Sequence, residues 1–144
     1  MPAVTPGITC VEPVGVGVSV SVSDLPHRGM VLPETSAMFH FRTLDVYRCA
    51  VELLPKAYSI AEALNGEMAS QLRRAALSIN LNIAEGTGRF DRDQRKFLVT
   101  ARGSALECAA VLDATIALGI KAPLAAESDA LLVRIVSMLT KMIG

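Results

Sequence analysis

Three residues of this chain combine the types that chemistry requires: Asn82, Glu85 and Glu107. Two carboxylates on neighbouring elements can act as a general acid and base, or as ligands to a metal ion. Acid–base work also needs a concave pocket, which a short alanine-rich protein has little volume to form. Carboxylate metal sites in helical bundles draw on Glu-x-x-His pairs from facing helices. Neither His27 nor His40 follows a glutamate at that spacing. Cys10, Cys49 and Cys108 are scattered, odd in number and without ligand spacing, as expected of free thiols in a reducing cytoplasm. No glycine-rich phosphate loop, nucleophile elbow or zinc pattern occurs, so neither a cofactor nor a metal is expected.

The element that positions Asn82 and Glu85 is legible in the stretch QLRRAALSINLNIAEGTGR, Gln71 to Arg89. Leu72, Ala76, Ile79 and Ile83 form the apolar stripe of an amphipathic helix. On another face stand Gln71, Ser78, Asn82, Glu85 and Arg89. Short amides, a hydroxyl and a carboxylate in that stripe favour directed hydrogen bonds to a neighbouring helix or subunit over simple solvation. The alternative to catalysis is therefore a polar network, with Glu85 or Glu107 paired to Arg74, Arg89 or Arg102. Such a network sets helix register and assembly more than raw stability.

Three further helices follow from periodicity and punctuation. The first is expected from about Leu44 to Leu64, capped by Thr43, with Leu44, Tyr47, Val51, Leu54 and Tyr58 in helical register and a kink at Pro55. Asn65-Gly66 ends it, and the second helix runs from about Glu67 to Glu85. The third begins after Asp91, with Gln94 completing a capping box, and stops at Gly119. The last starts around Pro123 and turns Leu124, Leu131, Ile135, Met138 and Met142 inward. Short connections make neighbours antiparallel. Gly103, with Ala101, Ser104 and Ala105, is expected to bring the third helix close to Ala75, Ala76 and Ala84 of the second.

Net charge is zero, so no global field attracts nucleic acid. Locally the balance differs. From Gln71 to Arg102 the chain carries Arg73, Arg74, Arg89, Arg92, Arg95, Lys96 and Arg102 against Glu85, Asp91 and Asp93, a local excess of four. Arg89, Arg92, Arg95 and Lys96 surround the turn between helices two and three. Repeated around a ring, they would offer additive phosphate contacts. Arg73 and Arg74 lie roughly 20 Å further along the helix and form a separate patch. Stacking platforms are scarce: Phe90 and Phe97 are the nearby rings.

The ordered string QLRRAAxSIxxNIAEGxGR, followed by Phe97, Leu98, Ala101-Arg102-Gly103-Ser104 and Glu107, resembles the small four-helix-bundle proteins named after intervening sequences in 23S ribosomal RNA genes. Phe41-x-x-Leu44-x-Val46-Tyr47 and Leu118-Gly119 fit the same pattern, so the resemblance runs from about Phe39 to the C-terminus. It implies an up-down bundle assembling into homopentameric rings. A related group, the accessory proteins of diversity-generating retroelements, is similar in fold and binds a reverse transcriptase and its RNA. The implied partners are thus further copies of the chain, and RNA or a reverse-transcriptase-like protein.

Composition agrees with assembly. Apolar residues make up 51% of the chain and charged ones 19%, more apolar surface than a small bundle can bury alone. No apolar run reaches the ~18–20 residues of a spanning helix. Residues 1–37 differ in kind, holding five of the seven prolines and the alternating run Val14 to Ser23, which has no adjacent strand to pair with. They are expected to form a disordered extension, or to be non-native if translation starts at Met38. The expectation is an all-α, antiparallel four-helix bundle over 38–144, a cytoplasmic, non-enzymatic, self-assembling scaffold. The alternatives are a purely structural assembly without nucleic-acid binding, and a carboxylate enzyme.

Overall fold

The computed structural model describes residues 38–144; the expectations about 1–37 fall outside them. After a 3-10 turn at His40–Thr43 come four helices: α1 Asp45–Glu62, α2 Gly66–Thr87, α3 Asp91–Ala117 and α4 Ala125–Ile143. No strand occurs among the described residues. Each helix packs on its sequence neighbours, and α4 closes onto α1, while the diagonal pairs do not meet.

Side-chain pairs reveal the chain directions. Gly86 near the end of α2 abuts Phe97 near the start of α3, whereas Ser78 meets Ser104 and Gln71 meets Glu107 further along. Likewise Asn80 reaches Ala50 while Arg73 lies over Tyr58. These two helix pairs each run in opposite directions, which is consistent with the expected up-down order.

The core is narrow because small residues fill its centre. Ala50, Ala57 and Ala61 of α1, Ala75 and Ala76 of α2, and Ala101 and Ala105 of α3 are buried beside Leu53, Leu72, Ile79, Ile83, Ile135 and Leu139. The α2 stripe is buried as expected. The α1 stripe is not the core stripe: Tyr47, Val51, Leu54 and Tyr58 are half-buried, and the innermost positions are Val46, Cys49, Ala50, Leu53, Ala57 and Ile60. Alternation of small and large residues gives α1 two apolar faces, and periodicity found the outer one. In α4 the buried line is Ser128, Leu131, Leu132, Ile135 and Leu139; Met142 is exposed.

The helix ends also correct the expectations. Leu44, without a side-chain bond, precedes α1, because the Thr43 hydroxyl donates instead to the His40 carbonyl at 2.8 Å within the 3-10 turn. Helix α1 continues through Pro55. Asn65 caps the following helix, its Oδ1 accepting from the Met68 N–H at 3.0 Å. Asp91 forms no capping box: it is the first residue of α3, with φ of 49°, and Phe90 takes the cap position. A left-handed backbone is tolerable for Asp but strained. Gly119 ends α3 as expected, at φ 69°, its N–H bonded to Ile116 O and that of Ile120 to Thr115 O. These two bonds form a Schellman motif.

Gly103 is not a close-approach glycine. A Cβ there would meet nothing within 4 Å, whereas one on Gly86 would lie 3.1 Å from Phe97 Cβ and 3.5 Å from the Gln94 carbonyl. The contact that requires a glycine between α2 and α3 sits at Gly86.

Candidate functional site: a polar seam and a basic turn

The polar face of α2 lies along its seam with α3. Asn82 Nδ2 donates to Ser78 O at 2.8 Å and to Ser78 Oγ at 3.0 Å. Ser78 Oγ in turn meets Ser104 Oγ at 2.8 Å. Near the other end Gln71 Nε2 donates to Glu107 Oε2 at 3.4 Å. Gln71, Ser78 and Asn82 of the expected polar face therefore lie along one seam with Ser104 and Glu107, joined by bonds that cross between helices at two levels. This is the geometry of a register lock.

Glu85 stands apart from that line. Its carboxylate takes both Arg89 Nε, at 2.9 Å, and the neighbouring guanidinium nitrogen one helical turn away. The hydrogen bond first, and the opposite charge second, raise the Arg89 pKa still further above the physiological range. Glu107 is level with Gln71, fourteen positions from Glu85 along α2 and thus about 21 Å away at 1.5 Å per residue. The chain does not assemble these carboxylates into a dyad. Nor does any group of three or more His, Cys, Asp or Glu suited to a metal occur among the described residues.

The basic residues divide by what holds them. Arg89 is bound by Glu85 and lies 5.7 Å over the Phe97 ring; Arg73 lies 5.8 Å over that of Tyr58. Arg102 is half-buried on α3 and Arg74 exposed on α2. Arg92, Arg95 and Lys96 are exposed at the start of α3, and among the described residues no ion pair engages them. Beside them a shallow groove of about 300 Å³ is lined by Asp91, Arg92, Gln94, Arg95, Leu98, Met142 and Ile143. The positive end of the helix dipole adds to these cations there, opposed in part by the carboxylates of Asp91 and Asp93 in the same turn.

A family model described as 23S rRNA-intervening sequence protein matches residues 42–141, nearly the whole four-helix unit. The chain belongs to that family. No curated protein matches it. Within this family member, Ser78, Asn82 and Ser104 are structural in position, while the α3 start offers cations without an ion pair among the described residues. No described helix is long and apolar enough to cross a membrane.

Sequence reasoning missed Asn80. It is buried, its Nδ2 donating to Ala50 O at 3.3 Å and Ala76 O at 3.1 Å, with Oδ1 lacking a partner. The available signal was a lone amide on the α1-facing edge of an otherwise apolar stripe. Ser128, buried with an unpartnered Oγ, was equally unremarked, although it continues the stripe of Leu131 and Ile135.

Proposed function

We propose that this family member is a non-enzymatic, self-assembling helical scaffold whose exposed α3 starts contact RNA phosphates. What supports the RNA reading is the trio Arg92, Arg95 and Lys96: solvent-exposed, free of ion pairs among the described residues, and set where the helix amides add positive potential. Assembly is supported by large apolar side chains left on the surface of α2 and α3, among them Leu77, Leu81, Val99 and Leu106. Subunits arranged in a ring, with five as the count the family resemblance implies, would repeat the basic trio and make its weak contacts additive.

The test is fluorescence anisotropy of a labelled RNA titrated at low and near-physiological salt. Binding that weakens steeply with salt, and that Arg92→Glu with Arg95→Glu abolishes without changing the oligomer mass, is the expected result. No binding at low salt removes the RNA reading and leaves a purely structural assembly or a protein partner.

A further inference from the structure

Phe90 has no task inside the bundle. It stands at the cap position of α3, where a side-chain oxygen normally accepts from the helix amides, and it makes no capping bond. Its ring is 86% exposed, and among the described residues no other ring or cation stacks on it. The backbone behind it is nonetheless tied down: its carbonyl accepts from the N–H of Asp93 at 3.2 Å and from that of Gln94 at 3.4 Å. A hydrogen-bonded turn thus holds a bare aromatic face in water, at the residue that precedes Asp91 and the groove.

The groove itself combines two chemistries. Leu98, Met142 and Ile143 give it apolar walls, and the half-buried Gln94 adds an amide that can both donate and accept. A phosphate suits this interior badly: it would lose water against the apolar side chains and be repelled by the Asp91 carboxylate. A nucleobase suits it better, because its faces are flat and stack on apolar groups while its edge carries N–H donors and acceptors. Arg92 and Arg95 belong to the same lining, and Lys96 stands exposed one turn from Arg92. Cations for phosphates and apolar surfaces for bases therefore lie side by side.

We propose that the α3 start takes single-stranded RNA, one base stacking on Phe90 and another entering the groove against Leu98, Met142 and Ile143, while Arg92, Arg95 and Lys96 meet the phosphates. The inference rests on the RNA reading above and names the class of RNA. Paired RNA fits neither contact, because its bases are stacked on one another and their pairing edges are already bonded. Stacking on Phe90 tolerates any sequence, since every base has a π-face. Asp91 and Gln94 favour, in the groove, a base whose edge presents N–H donors.

The test titrates the full chain against a labelled RNA strand without self-complementarity, and against the same strand annealed to its complement. The single strand should bind about tenfold tighter than the duplex, or better. Phe90→Ala and Phe90→Leu should each lose about tenfold in affinity for it, with the slope of log affinity against log salt unchanged. Phe90→Tyr should keep the affinity, and Arg92→Gln should instead flatten the slope. A duplex bound as well as the single strand, or full affinity in Phe90→Leu, overturns the proposal and leaves phosphate contact standing. No binding of either RNA at low salt ends both readings. A changed oligomer mass in Phe90→Ala would place the ring between copies of the chain, which also overturns the proposal.

Discussion

Ser78 and Ser104 meet hydroxyl to hydroxyl at 2.8 Å across the seam of α2 and α3, and Asn82 donates to the same Ser78 oxygen. Ser78 therefore receives from one neighbour and exchanges with the other, so the two contacts are coupled. Ser104→Ala and Ser78→Ala should each cost about 1 kcal/mol in urea unfolding, the net worth of one internal hydrogen bond. The double variant should cost clearly less than the two singles together. Simple additivity would mean that the hydroxyls do not share a bond.

Gly86 and Gly103 should respond oppositely to alanine. A Cβ at position 86 meets Phe97 Cβ at 3.1 Å with the Gln94 carbonyl just behind, and neither is the free end of a flexible side chain. Overpacking of this kind costs about 1–3 kcal/mol, more than the ~1 kcal/mol that alanine returns in helix propensity. Gly86→Ala should lower Tm. Gly103→Ala, with open space around it, should leave the unfolding free energy of the isolated bundle unchanged or improve it.

Asn80→Asp should be the most damaging isosteric change in the protein. The Asn80 amide donates to two carbonyls, so a carboxylate there would face acceptors alone inside the core. A buried charge without a partner costs about 3–5 kcal/mol. Its pKa in the folded state would rise above the unfolded value, so stability should return as pH falls toward that of a free aspartate. Urea midpoints at pH 5 and pH 8 measure this; equal losses at both would show that the carboxyl is solvated.

Cys108 gives the natural protein an alkaline limit. Burial first, and the charge of Glu107 second, push its thiol from the ordinary 9.0 up to about 12. The unfolded chain releases this proton near 9.0 while the folded one retains it. The contribution is therefore intact below that pH and is lost as pH rises through the folded value, at about 1.4 kcal/mol per unit. Cys108→Ala should flatten the alkaline slope of stability by that amount. The unsubstituted protein should present Cys49 and Cys108 to a thiol reagent on unfolding, and rapid reaction of Cys108 in the folded state would contradict its burial.

Local and periodic features were legible in the chain itself. The α2 stripe Leu72, Ala76, Ile79 and Ile83 matched the core because its large residues recur at the helical period without interruption. Gly119 read correctly as a stop because only a residue without Cβ adopts φ of 69° cheaply. The family resemblance drawn from Gln71 to Arg89 led to the same family that the match over 42–141 establishes. Tertiary structure decided whatever depended on a neighbour. Alanines and a cysteine share the inner face of α1 with Val46, Leu53 and Ile60, and residues so small show their place when another helix rests on them. The seam at Ser78, the amide at Asn80 and the close contact at Gly86 each need an atom from a second helix to acquire meaning. Glu85 and Glu107 are parted by the register of α2 against α3, set by side chains meeting across the seam, which spacing along one chain does not encode.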